Sequence, residues 1–332
     1  MTNKDSFIRT SYNGAFIEQR ADPYVYKHTD GTYYFTASVP SYDRIILRRA
    51  STIKGLAAAE ETTIWRKHNV GIMSQHIWAP ELHYIQGKWY IYFAASKVDD
   101  IWALRPYVLE CESSDPVAGP WRELGQMQCA DDDPFSFRSF SLDATVFENK
   151  GEYYYIWAEK VGVGKAISNL YIAKMETPNK LKTVQVLLTT PDYDWERVDF
   201  WVNEGPSILK HDGKLYMAFS ASGTGACYCV GLMSADENSD LLDPLSWKKE
   251  RYPVLQTDEE KHIYGPGHNC FVKSEDGKRD LMVFHARPYE EIIGDPLYDP
   301  NRHAMLMEVT FDGNGRPVFA FQKNEELQRI LP

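Results

Sequence analysis

The chain is 332 residues long, 43% apolar and 25% charged, with aromatic residues at 14% led by 21 Tyr and 9 Trp. That composition excludes a disordered chain and favours side chains that suit strands. A net charge of −11 argues against a polyanionic partner, since nucleic-acid affinity needs clustered Lys and Arg to displace counterions.

The N-terminus, Met-Thr-Asn-Lys-Asp-Ser-Phe, has no apolar signal core, and nowhere does an apolar run approach the roughly 18 residues of a membrane span. No membrane partner is expected, and the chain reads as cytoplasmic. Cys111, Cys129, Cys227, Cys229 and Cys270 are odd in number and contain no C-x-x-C pair. They fit reduced thiols better than a disulfide framework or a zinc site.

From Asp22 onward one plan recurs: a short apolar strand, a polar turn ending in Gly, and an aromatic-rich second strand. The segments are "DPYVYKHTDGTYYFTAS" from Asp22, "WAPELHYIQGKWYIYFAAS" from Trp78, "DATVFENKGEYYYIWAE" from Asp143, "EGPSILKHDGKLYMAFSAS" from Glu204 and "HNCFVKSEDGKRDLMVFHAR" from His268. Their turn glycines, Gly31, Gly87, Gly151, Gly213 and Gly277, lie at similar intervals, and Gly suits a tight hairpin because it accepts positive φ. A third strand-like run and a fourth follow each hairpin, as in "RIILRRAS" then "TTIWRKH". The basic residues Arg44, Arg48 and Arg49 sit in such a third strand and read as its solvated face. Four strands per unit, five times over, predict an all-β, five-bladed β-propeller with four antiparallel strands per blade, forming a single domain over residues 1–332.

In a propeller the innermost strands begin at one end of a central channel, so equivalent positions converge there. Counting back nine residues from the turn glycine gives Asp22, Trp78, Glu204 and His268; eight back from Gly151, whose turn looks one residue shorter, gives Asp143. Three carboxylates, a Trp and a His are thus expected at one height. Like charges gathered in a low-dielectric channel raise one another's pKa, which marks a candidate active site. No D-x-D-x-D-G cation loop occurs, whereas two clustered acids suit glycoside hydrolysis. Trp78 offers a flat face to a sugar ring, His76 lies two residues before it on the same strand face, Trp201 precedes Glu204, and Arg287 of "FHARPY" could bind a hydroxyl or steady a carboxylate.

At these residues the sequence resembles glycoside hydrolase family 43, through "RADPYVYKHTDGTYYFTASVPSYDRIILRRA", "HIWAPELHYIQGKWYIYFAA", "SFSLDATVF", "WVNEGPSILK", "YGPGHNCF" and "GDPLYDPNRH". It looks most like the exo-acting α-L-arabinofuranosidase branch, which trims terminal arabinofuranose from α-1,5-linked arabinan and its oligosaccharides. The resemblance implies an inverting mechanism with Asp22 as general base, Glu204 as general acid, and Asp143 raising the pKa of that acid and orienting it. It also implies that His268 sits deep in the channel, near a structural Ca2+ bound largely through water, with no cofactor required for the chemistry. Inversion leaves room for water, so the Asp22 and Glu204 carboxyl groups are expected roughly 6.5 to 9.5 Å apart. A β-xylosidase or endo-arabinanase of the same family is the alternative, and a carbohydrate-binding propeller without catalysis is the alternative of another class. The sequence leaves a homo-oligomer open.

Overall fold

The computed structural model describes residues 14–162 and 164–322. The N-terminal stretch behind the cytoplasmic expectation therefore lies outside the described residues.

Among the described residues the regular structure is almost wholly strands. The first hairpin unit forms a sheet of β1 (Ala21–Lys27), β2 (Tyr33–Ser38), β3 (Arg44–Ala50) and β4 (Thr62–Arg66), and the second one of β5 (Gln75–Ile85), β6 (Lys88–Lys97), β7 (Asp100–Cys111) and β8 (Arg122–Gln126). The third comprises β9 (Ser141–Asn149), β10 (Glu152–Val161) and β11 (Ile167–Thr177), with β12 (Lys180–Leu181) and β13 (Val186–Thr189) both on β11. The fourth is β14 (Trp201–His211), β15 (Lys214–Ala221), β16 (Cys229–Asp236) and β17 (Lys248–Lys249), and the fifth β18 (Tyr264–Lys273), β19 (Asp280–Arg287), β20 (His303–Phe311) and β21 (Pro317–Phe319). Pairing within each unit is antiparallel. A short parallel contact, Ile167↔Trp201 and Ser168↔Val202, joins the third and fourth units into one nine-stranded sheet. The repeat did not foreshadow that contact, nor the helix α1 (Ile53–Ala58), whose N-cap Thr52 accepts a hydrogen bond from the Gly55 N–H.

The central strands are apolar on both faces because both faces are covered. Tyr34, Ile45 and Leu47 of the first sheet pack with Trp89, Ile91 and Leu109 of the second. Tyr92 and Val108 meet Val146, Tyr155 and Trp157 of the third unit. Ile156, Leu170 and Ile172 then meet Leu215, Met217 and Phe219 of the fourth, and Ala218, Val230 and Leu232 meet Met282, Phe284 and Met307 of the fifth. Val272, Leu281 and Val283 return to Phe35 and Ile46 of the first. The innermost strands touch in the same cyclic order, β1 on β5, β5 on β9, β9 on β14, β14 on β18 and β18 on β1.

Each innermost strand carries a two-against-one β-bulge at the same height. Pairing jumps from Ala21↔Ser38 to Tyr24↔Thr36, from Trp78↔Ala94 to Glu81↔Tyr92, and from Leu142↔Ala158 to Thr145↔Ile156. The fourth and fifth units repeat it, from Glu204↔Ser220 to Ser207↔Ala218 and from Gly267↔His285 to Cys270↔Val283. The first bulged residue is left-handed each time: Asp22 (φ 52°), Ala79 (47°), Asp143 (50°), Gly205 (53°) and His268 (44°). A left-handed bulge bends the strand and re-aims its side chain.

This corrects the alignment drawn from the turn glycines. Gln86-Gly87, Lys150-Gly151 and Asp212-Gly213 are two-residue turns with positive φ at both positions, as type I′ requires. The hairpins at Gly31 and Gly277 are longer, closing at Lys27↔Tyr33 and Lys273↔Asp280. The equivalent position is thus eight residues before the glycine in three units, and nine in the first and last. It holds Asp22, Ala79, Asp143, Gly205 and His268, whereas Trp78 and Glu204 stand one residue earlier, level with Ala21, Leu142 and Gly267.

Candidate active site

The bulges bring Asp22, Asp143 and His268 together. The Nδ1 of His268 lies 3.4 Å from an Asp22 carboxylate oxygen and 3.6 Å from one of Asp143. Glu204 joins this group from the preceding position of β14. Its neighbour Gly205 leaves the space, since a Cβ there would stand 3.2 Å from the His268 ring.

The surroundings treat the acids differently. Asp22 accepts a 2.6 Å hydrogen bond from the Ser38 hydroxyl and faces Arg302 Nη1 at 3.4 Å. Its backbone N–H donates to His285 Nδ1 at 3.1 Å. Burial opposes ionisation of Asp22, but His268 and Arg302 outweigh it and hold the carboxyl well below the usual carboxylate range. His285 itself is pushed down to about 3, chiefly by burial, and stays neutral.

Glu204 goes the other way. Burial raises its pKa and Asp22 adds to the rise, while a 2.8 Å hydrogen bond from the Tyr228 hydroxyl and the neighbouring His268 offset part of it. Asp143 is raised well above the ordinary value, first by burial, then by the charges of Glu204, Asp22 and Glu81. Glu204 and Asp143 therefore form a coupled pair in which ionisation of one opposes ionisation of the other.

Tyr228 also stacks on His285, with ring centroids 5.5 Å apart and planes at 8°. Gly267 makes room for it, because a Cβ there would fall 2.3 Å from the Tyr228 ring. The supports of Glu204 and Asp22 are therefore in contact.

The remaining expected residues divide. Trp78 is 8% exposed and packs on Tyr42 and Trp102, with its indole N–H unpartnered. His76 is wholly buried and stacks beneath Trp78 at 4.4 Å, donating from Nδ1 to the Ile101 carbonyl and meeting the Tyr298 hydroxyl at Nε2. It supports the indole and presents no free edge to a sugar. Arg287 is buried, donates to the carbonyls of Thr224 and Pro296, each at 2.6 Å, which ties two loops together, and faces the Asp299 carboxylate at 3.6 Å. Trp201 lies an odd number of residues from Glu204, hence on the other strand face, with the Arg197 guanidinium 4.6 Å over its ring.

The calcium expectation finds no support in the side chains. Among the described residues no group of three His, Cys, Asp or Glu is disposed to hold a metal ion, and His268 turns Nδ1 to the two carboxylates. The residues present do not make a protein-ligated cation site.

Sequence reasoning missed His285, Arg302, Tyr228 and Ser38. One signal was available, since the partners opposite the bulges are Ser38, Ala94, Ala158, Ser220 and His285, small in four units and imidazole in one. Arg302 stands in the quoted "DPNRH", without a role assigned to it.

Comparison with known proteins now decides the family. Residues 12–317 match the family described as "Glycosyl hydrolases family 43". The chain belongs to glycosyl hydrolase family 43. It is 49% identical over 309 residues, 93% of its length, to an "Extracellular exo-alpha-(1->5)-L-arabinofuranosidase" of Streptomyces avermitilis, and spans 63% of that relative. A protein of the same name from Streptomyces chartreusis is 48% identical over 86% of this chain and 85% of its own. The crystal structure of an alpha-L-arabinofuranosidase from Lactobacillus brevis superposes with a TM-score of 0.87 at 50% identity, over 93% of this chain and 96% of that one. Both Streptomyces relatives are named extracellular, which overturns the cytoplasmic expectation. Among the described residues no helix is long and apolar enough to cross a membrane.

Proposed function

We propose that this member of family 43 is an inverting exo-acting α-L-arabinofuranosidase that releases terminal arabinofuranose from α-1,5-linked arabino-oligosaccharides or arabinan. We read its fold as a single-domain, five-bladed propeller. The cyclic order of sheet contacts and the five matching bulges support that architecture. The names of the relatives support the substrate.

The observation that carries the mechanism is the opposite shift of two carboxyl groups in one cluster, Asp22 held ionised and Glu204 pushed toward its protonated form. Groups driven apart in this way are the natural base and acid. Asp22 takes a proton from water as the water oxygen bonds to the anomeric carbon. Glu204 gives its proton to the departing glycosidic oxygen as the old bond breaks, so the sugar leaves with inverted configuration. Asp143 acts through Glu204, because its nearby carboxyl makes loss of the Glu204 proton harder. Hydrolysis by these groups needs no cofactor.

Glu204→Gln tests the assignment. Hydrolysis of arabinotriose is expected to fall by roughly 10²–10⁴-fold, the range of general acid catalysis. An arabinofuranoside with an aryl leaving group too acidic to need a proton should lose far less. Equal losses on both substrates would remove Glu204 from the role of acid, and faster turnover of 4-nitrophenyl β-D-xylopyranoside than of the arabinofuranoside would reassign the sugar.

A further inference from the structure

Lys160 is a half-buried cation that the mechanism above does not use. It stands near the end of β10, opposite Ser168 of β11, and the short parallel contact carries that row on to Val202 of β14. Directly paired residues share a face of the sheet, and so do residues two apart on one strand, so Lys160, Ser168, Val202 and Glu204 all point to the same side. The neighbouring Glu159 points the other way, where its carboxylate accepts from the Phe137 and Ser139 backbone N–H groups and from the Trp157 indole. The parallel contact, which the repeat did not foreshadow, thus brings a lysine of the third unit to the face of the acid in the fourth.

The lysine is held in place without being neutralised. Its Nζ lies 3.8 Å from the centroid of the Phe140 ring, and its backbone N–H donates to the Phe140 carbonyl at 2.9 Å, so one residue fixes both ends of it. An aromatic face attracts a cation but leaves the charge in place. Among the described residues Nζ makes no hydrogen bond or ion pair. Burial lowers the pKa of Lys160, and the charge of Glu204 holds it up. The groups that face Glu204 are Asp22 of β1, Asp143 of β9, Lys160 of β10, Tyr228 just before β16 and His268 of β18. Lys165 and Arg197 lie over the Trp201 ring instead, on the opposite face of β14. Arg302 is engaged by Asp22, and His268 is divided between the two aspartates. Lys160 is left to oppose the charge that appears on Glu204 when its proton goes.

We infer that Lys160 is a positioning residue that acts through Glu204: its ammonium stabilises the carboxylate that forms as the Glu204 proton passes to the departing oxygen and the glycosidic bond breaks. The inference rests on the reading of Glu204 as the acid. The test measures kcat and kcat/KM against pH, with arabinotriose and with the aryl arabinofuranoside, for wild type, Lys160→Met, Lys160→Gln and Lys160→Arg. Without the cation Glu204 holds its proton more tightly, so in Lys160→Met and Lys160→Gln the basic limb should move to higher pH by about half a pH unit or more. At the pH optimum kcat for arabinotriose should fall about three- to tenfold and that for the aryl substrate less than about twofold, because only the sugar leaving group needs the proton. Lys160→Arg keeps the charge and should hold both the limb and kcat near wild type. Melting curves establish that the variants fold, and two neutral replacements of different polarity keep the test independent of either one. An unmoved basic limb in the neutral variants, or equal losses on the two substrates, would overturn the role of Lys160. Equal losses on both substrates in Glu204→Gln would instead overturn the acid reading beneath it.

Discussion

Arg302 is buried, its Nη2 donates to the Tyr42 hydroxyl at 2.8 Å, and its Nη1 faces Asp22. Burial works against its charge, but Tyr42 and Asp22 more than restore it and raise its pKa above the ordinary value. Removing this cation should let the pKa of Asp22 rise toward the usual carboxylate range. Asp22 must be ionised to act as base, so in Arg302→Met the acidic limb of kcat/KM should move to higher pH by about one unit or more. Arg302→Lys should restore part of the shift, and a uniform loss at every pH would reduce Arg302 to a packing role. Asp22, Asp143, Glu204 and His268 were legible in the sequence because each stands at or beside a position that recurs in every unit. Arg302 was not, since it sits in the loop before β20, outside the repeat, and only the folded chain brings it back to β1.

At the scale of the element, the bulge does the aiming, and Gly205 tests it. The position is left-handed, and a methyl group there would crowd the His268 ring at 3.2 Å. Gly205→Ala should therefore destabilise the fold by about 1–3 kcal/mol in urea titrations and lower kcat more than it raises KM, because His268 would shift against both aspartates. Ala79 occupies the equivalent place in β5 and already carries a Cβ, so the fold tolerates the backbone strain alone. An intact kcat in Gly205→Ala would separate the bulge from the chemistry. The hairpin plan was plain in the sequence because two-residue turns announce themselves as X-Gly pairs. The one-residue offset was not, since the letters around Gly31 and Gly277 look like those around Gly213 and only the pairing partners reveal the longer loops. The parallel contact of β11 with β14 leaves no pattern in either strand.

For the whole molecule the acid cluster stores a cost. Asp143 and Glu204 have pKa values raised on folding above the ordinary carboxylate range, so the folded chain holds their protons more tightly than the unfolded one. Their contribution to stability is complete below the unfolded values and is lost as pH climbs through the folded ones. Asp143→Asn cannot ionise there, so it should melt roughly 2–4 °C higher than wild type at neutral pH, with the gap closing toward pH 4, while turnover collapses. A gap of the same size at pH 4 would contradict this origin. Asp22 runs in the opposite sense, since its lowered pKa favours the fold at every pH above the ordinary carboxylate range. The innermost strands all start at the acids and run away from them, and about eight residues at ~3.3 Å each separate Asp143 from the Lys150-Gly151 turn by about 26 Å. The tight turns thus lie at the end of the sheets opposite the acid cluster. A tether or fusion at Lys150 would anchor the protein by that end and leave the acid cluster facing solvent, which makes the turn a handle for immobilising the protein.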